Sequence, residues 1–211
     1  MSKIITDQCN FIIIGAWNPA ILQPAWLKNQ FPTLIKGDQF GIELITGPIT
    51  TFRFEANNVL ISPNNDRLTF TPKEINEELL DFISKISFSI FEKLPHTPVF
   101  AAGCNFAYKL DDGESFFIKE IEPQLNSTEV YDKMELKELT SKQVRHGFSF
   151  SDHNLNISYN VSGDDKTIHY NFDYPLNDTN LIKKASESLK EHYKHTLKLN
   201  SNLIKDIKCN H

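Results

Sequence analysis

The sequence predicts an α+β protein with an antiparallel sheet built from two similar halves, each a strand, a long connection, a three-stranded meander and a helix. Three observations lead to this fold class. Two segments repeat apolar residues at the spacing of an amphipathic helix, and three short runs of alternating polarity precede each of them. A more continuous apolar run opens each half. Both helices are expected on one face of the sheet, as two packed layers require.

The first half, residues 1–95, ends in a helix whose start is marked by Thr71, Pro72 and Glu74 and whose end is marked by Pro95. The sequence Pro-Asn-Asn-Asp at 63–66 is typical of a tight turn between strands. The opening apolar run is expected to be a strand buried on both faces. This strand and the meander are expected at residues 11–17, 51–55, 59–62 and 67–71.

The second half, residues 96–211, follows the same order and is expected to pack with the first as one globular unit. Leu155, Ile157 and Tyr159 alternate with Asn156 and Ser158, which predicts a strand with one face on a core and one face wet or covered by a partner. The opening run is again expected to be buried on both faces. The strands are expected at 99–109, 144–151, 155–161 and 167–174, and the helix at 178–199.

Two such halves can pair edge to edge into one curved sheet. The order of the elements resembles the duplicated saddle of the TATA-box-binding-protein-like fold, although we identify no residue-level repeat between the halves. The resemblance implies a fold and no function. The net charge of −5 disfavours non-specific binding to nucleic acid, because an acidic chain is not attracted to phosphate backbones.

The composition is that of a folded protein. Of the 211 residues, 40% are apolar and 11% aromatic, which is enough to bury a core. The opening apolar run is too short to cross a bilayer and lacks the basic flank and cleavage site of a signal peptide. The three cysteines lack metal-site or redox spacing, which indicates a reducing compartment. We therefore expect a cytoplasmic protein without membrane association.

No motif in the sequence indicates a recognisable catalytic chemistry. Phosphate-binding glycine loops, a Gly-x-Ser-x-Gly elbow and zinc-type spacings are all absent. His146 and His169 fall on opposite faces of the meander, which argues against a metal site shared with His153. His192 and His195 are expected on the surface of the last helix. We predict no metal, no cofactor and no catalytic residue, although missing motifs do not exclude an enzyme.

Both tryptophans lie within the Pro-rich segment that follows the first apolar run. Two interpretations stay open: a rigid turn whose rings plug the sheet, or an aromatic recognition patch, since Trp is favoured at interface anchors. In the second interpretation Trp17, Asn18 and Trp26 bind a partner, together with Asn105 at the equivalent place in the second half. We expect Trp17 to be buried, because it closes an apolar strand, and Trp26 to be exposed.

Several segments resemble a group of sporadically distributed, uncharacterised bacterial accessory proteins. They are the segment at residues 17–26, the predicted strand at 66–70, the capped helix that follows it and the predicted strand at 103–108. The resemblance implies accessory or mobile-element roles, including phage defence. It implies no mechanism and no functional residues.

The missing catalytic motifs, the polar strand faces and the segregated charge together predict a non-catalytic protein-binding or assembly subunit of a bacterial or phage complex. Acidic residues dominate residues 111–139 and lysines dominate residues 178–211, so these segments can dock on partners of opposite charge. The alternative is a small-molecule-binding, hydrolase-like enzyme with a pocket on the curved sheet.

Overall fold

A computed structural model describes residues 2–37, 40–46, 51–111, 141–175 and 180–208. Within these ranges the chain forms one antiparallel sheet of ten strands with four α-helices. The strands are β1 (Lys3–Ile4), β2 (Asn10–Gly15), β3 (Ile42–Ile45), β4 (Thr51–Ala56), β5 (Val59–Pro63), β6 (Arg67–Pro72), β7 (Val99–Lys109), β8 (Ser141–Ser149), β9 (Asn154–Ser162) and β10 (Asp165–Pro175). The helices are α1 (Pro24–Gln30), α2 (Glu77–Lys93), α3 (Asn180–Glu187) and α4 (Leu189–Lys208).

The two continuous apolar runs become neighbours at the centre of the sheet. The strand order is β3-β4-β5-β6-β2-β7-β10-β9-β8, and β1 pairs with the far end of β7. Phe11 of β2 lies opposite Cys104 of β7. The predicted α+β class, the antiparallel sheet and both meanders are confirmed. The first connection contains α1 and β3, whereas most of the second, and of the acidic segment within it, lies outside the described residues.

One contiguous core joins alternate strand residues to the buried sides of the helices. Phe11 and Ile13 of β2 belong to it, and so does Phe106 of β7. The prediction that the two central strands are buried on both faces is wrong, because Asn10 and Asn105 on the opposite side are only half-buried. An apolar run alone does not reveal whether a second layer covers the strand.

Helix α2 begins later than its sequence signals predict. Thr71 and Pro72 belong to β6, where Pro72 pairs with Val59. The observed cap is Asn76, whose Oδ1 accepts the backbone N–H of Leu79 at 2.9 Å. The pairing of β6 with β5 therefore prevails over the local capping signal, as tertiary context often does over propensity.

The last helical segment is divided at Ser188 into α3 and α4, where one continuous helix was expected. Helix α2 contacts both. Two surface ion pairs accompany this contact, Asp81–Lys190 at 2.7 Å and Glu77–Lys194 at 2.9 Å. Exposed pairs of this kind contribute little stability, so the apolar contacts with the core are what hold the helices in place.

Candidate functional site

Polar, half-buried side chains cover the side of the central and second-half strands opposite to the core. We call this surface the polar face. It is short of aromatic rings and rich in amides and hydroxyls. Its members on β2, β7, β9 and β10 include Asn10, Asn105, Asn154, Asn156, Ser158, Asn160, Thr167, His169, Asn171 and Asp173.

Four asparagines of the polar face form a continuous hydrogen-bonded row across four strands, which we call the asparagine ladder. Asn105 lies opposite Asn10 and Asn171, and Asn171 lies opposite Asn156. Asn156 Nδ2 donates to Asn171 Oδ1 at 3.2 Å, and Asn171 Nδ2 donates to Asn105 Oδ1 at 2.8 Å. Asn105 Nδ2 then donates to Asn10 Oδ1 at 2.8 Å. The amides therefore point the same way along the row.

Most basic side chains on or beside the polar side of the sheet are already paired with carboxylates. The pairs are short, between 2.5 and 2.7 Å, and exposed to solvent. Opposite charges therefore largely balance each other at these positions. The pairs are Glu43–Arg53, Asp66–Arg67, Glu55–Lys73 and Asp165–Lys109.

The structure does not bring the four predicted site residues together. Asn105 lies in the middle of the asparagine ladder, whereas Trp17 is buried in the core at 4% exposure, with its Nε1 donating to the carbonyl of Ile13 at 3.0 Å. Asn18 is exposed, and its Oδ1 accepts the backbone N–H of Ala20. Trp26 is half-buried rather than exposed, with its ring edge-on to Phe31. The prediction for Trp17 is confirmed and that for Trp26 is wrong.

A second polar row lies on the core side, where three buried tyrosines of the sheet meet helix α4. Tyr108 Oη is 2.6 Å from Thr196 Oγ1, and Tyr170 Oη donates to Asn200 Oδ1 at 2.7 Å. Tyr174 Oη is 2.5 Å from His192 Nε2. Burial raises the pKa of all three tyrosines. We call this row the tyrosine seam; it fixes α4 on the sheet through partners spaced four residues apart.

His192 is therefore not the surface histidine that the sequence suggested. Its ring is 7% exposed and stacks on Phe172 with ring centroids 3.9 Å apart. Burial lowers the pKa of His192 to about 3, with a further contribution from the neighbouring His153 and His195. The sequence signal for this burial was the spacing His-x-x-x-Thr-x-x-x-Asn on α4. Residues at this spacing share one face of a helix, and that face can be directed toward the core.

The tip of the β8–β9 hairpin is anchored beside His192. Asp152 bonds Lys184 of α3 at 2.8 Å and His153 at 2.9 Å. Those two partners, Lys184 first, lower the pKa of Asp152 to about 2. The His153 ring lies 5.0 Å from the His192 ring and stacks on Phe150 at 4.6 Å. The ion pair with Lys184 and the stacked rings therefore hold the end of the hairpin against α3 and α4.

An open groove of about 810 Å³ lies between the β4–β5 turn and the start of α2. This groove is where a small-molecule substrate would fit under the enzyme alternative. Three of its carboxylates are held in ion pairs with lysines at the protein surface. These pairs are Glu55–Lys73, Glu78–Lys36 and Asp81–Lys190.

The described residues, 2–37, 40–46, 51–111, 141–175 and 180–208, contain neither a metal-binding cluster nor a membrane-spanning helix. In that part of the chain no group of three His, Cys, Asp or Glu side chains is arranged to hold a metal ion. None of the helices there is both long enough and apolar enough to cross a membrane.

Asn10 was not predicted as a site residue, although the sequence contains a signal for it. The tripeptide Cys-Asn-Phe occurs at residues 9–11 and again at 104–106, in the two strands that pair at the centre of the sheet. In each copy the Cys and Phe point into the core and the Asn belongs to the ladder. The repeated tripeptide therefore marks Asn10 together with Asn105 in the sequence.

Comparisons with known proteins add no family. No protein-family model matches the chain, and a search of curated proteins finds no match.

Proposed function

We propose that this protein is a non-catalytic protein-binding or assembly subunit, and that the polar face is its recognition surface. The observation that carries the proposal is the asparagine ladder on the central strands. The resemblance to bacterial accessory proteins supports a role in a bacterial or phage complex, including phage defence.

Asparagine is depleted in strands because its side chain packs poorly on a pleated surface. Four asparagines in register on neighbouring strands are therefore unfavourable for folding, apart from the bonds they make with one another. A ladder amide uses one hydrogen and one oxygen lone pair within the row and keeps further capacity for a partner. Neutral amides of this kind suit the peptide groups and polar side chains of another protein.

We further propose that the two halves are copies of one unit. The strand order supports this, because β4-β5-β6-β2 on one side is followed by β7-β10-β9-β8 on the other. The Cys-Asn-Phe repeat supports it too, since Asn10 bonds Asn105 directly across the β2–β7 junction. In a crystal structure, residues 9–95 superposed on 97–199 should align the opening strand, the meander and the helical segment of each half. A mismatch of the helices would contradict the duplication.

We also propose that the helices all lie on one face of the sheet. The shared core and the contacts of α2 with α3 and α4 support a layer of helices on the core side. In that arrangement the polar face is left to water or to a partner, and its half-buried amides lie ready for an incoming surface.

The test is to place a large charged side chain on the polar face. Ser158→Arg lies one row from the ladder, and Ser201→Arg on the exposed side of α4 is the matched control. Tagged wild-type protein should retain a stoichiometric protein partner from extracts of its own cells. Ser158→Arg should weaken that binding about 30-fold, equivalent to about 2 kcal/mol, as for a central interface residue.

Ser201→Arg should bind like the wild type, and both variants should keep the wild-type circular dichroism. The proposal fails if the wild type stays a solitary monomer, or if the two arginine variants bind the partner equally well.

A further inference from the structure

Strand β3 has an apolar surface that a sheet edge in water normally avoids. It stands at the end of the strand order among the described strands. Ile42, Leu44 and Ile45 are 59%, 72% and 43% exposed. Natural edge strands are usually protected by charge, proline or a covering element, because an apolar edge invites another strand to pair. Glu43, the one charged residue of β3, is held by Arg53 of β4 at 2.6 Å.

The hydrogen-bonding direction of β3 follows from its register with β4. The Glu55 N–H donates to the Gly41 carbonyl at 2.9 Å, and Glu43 lies opposite Arg53 two residues further on. Backbone groups in an antiparallel pair point alternately toward and away from the neighbour. The N–H and C=O groups of Ile42 and Leu44 therefore point away from β4, toward the outer edge.

A groove adjoins this edge. It has a volume of about 580 Å³ and lies between β3 and helix α1. Pro24 and Asn29 line it on the α1 side, and Phe40 and Ile42 line it on the β3 side. An edge strand beside a helix is the arrangement by which some peptide-binding domains accept an added strand, with backbone bonds for affinity and a groove for alternate side chains.

We propose that β3 and the groove beside α1 bind an extended segment of a partner protein as an additional strand, with apolar side chains at alternate positions. This inference rests on the proposed function as a protein-binding subunit. A four-residue edge with three exposed apolar side chains offers much less than the roughly 800 Å² per partner that stable dimers bury. The occupant that fits is therefore a short segment and not a second globular copy of this chain.

The experiment selects peptides from a random-peptide display library on the full-length protein. Enriched peptides should show alternating apolar residues and should protect the amides of Ile42 and Leu44 from hydrogen exchange. Leu44→Pro removes one outward N–H at an edge position where proline is tolerated. It should weaken peptide binding at least 10-fold. Leu44→Thr keeps the backbone and removes the apolar side chain, and Phe148→Thr on the opposite edge strand is its matched control.

Equal peptide binding to the wild type, Leu44→Pro and Leu44→Thr, with circular dichroism unchanged, would overturn the inference. The inference would also be overturned if the wild type dimerised in the absence of any selected peptide and Leu44→Pro abolished this dimerisation. In that case β3 would pair with a second copy of the chain. A third result would separate the two proposals: Ser158→Arg weakens binding of the captured partner, and neither Leu44 variant changes it. The proposed function would then be supported and only the β3 binding site would be refuted.

Discussion

His192 should make the protein lose stability in mild acid. Its pKa is about 6.5 in an unfolded chain and about 3 in the fold, where burial disfavours the charged ring. Below pH 6.5 the His192 ring becomes protonated in the unfolded chain but stays neutral in the folded protein. The contribution of His192 to stability is therefore complete above pH 6.5 and is lost as the pH falls toward 3. At pH 5 the loss amounts to about 2 kcal/mol, from 1.4 kcal/mol per pH unit.

The assay is urea unfolding of the wild type and of His192→Gln at pH 7.5, 6 and 5. Glutamine can hydrogen-bond with Tyr174 but cannot titrate, so the difference between the two proteins isolates the imidazole. The wild type should lose about 2 kcal/mol more than the variant between pH 7.5 and 5. Parallel stability curves for the two proteins over this range would refute the burial of a neutral His192.

Three further outcomes follow from burial and hydrogen bonding. Trp17→Ala should cost about 3–5 kcal/mol of unfolding free energy and Trp26→Ala clearly less, since only the first ring is fully buried; equal losses in thermal denaturation would contradict this. Asn105→Asp, which removes a ladder donor and adds a half-buried charge, should destabilise by about 2–4 kcal/mol at neutral pH. This loss should be smaller near pH 4, where the new carboxyl regains a proton; a pH-independent loss would count against the ladder. Cys9 and Cys104 should resist iodoacetamide at pH 8 in the native state and react in urea, because burial raises the pKa of both thiols, that of Cys9 to about 11.

Much of the secondary structure could be predicted from the sequence. Residues 99–109 form a strand with the predicted bounds, and the two meanders fall within three residues of their predicted positions. Alternation with a period of two is a property of neighbouring residues, so Leu155 and Ile157 could be assigned to the core side before any partner strand was known. Helix boundaries were less predictable, since strand pairing at Pro72 competes with the capping signal.

The candidate site was only partly predictable. Asn105 was named because its segment takes the equivalent place in the second half to the tryptophan segment of the first, but its position inside a ladder depends on three residues far away in the chain. Trp26 was expected to be exposed because polar residues surround it, yet Phe31 on the following turn covers part of its ring. Exposure of an aromatic ring depends on which side of a short helix faces the core.

The sequence by itself determined the α+β class, most of the strands, the meanders and which residues of those strands share a face, because these follow from local periodicity. Only the tertiary structure decided which strands are neighbours, and with them the meeting of Asn10, Asn105, Asn171 and Asn156 in one row. It also decided that His192 lies inside the protein. Both results require contacts between segments distant in the chain, and no local pattern encodes the pairing of β2 with β7 or the docking of α4 on the sheet.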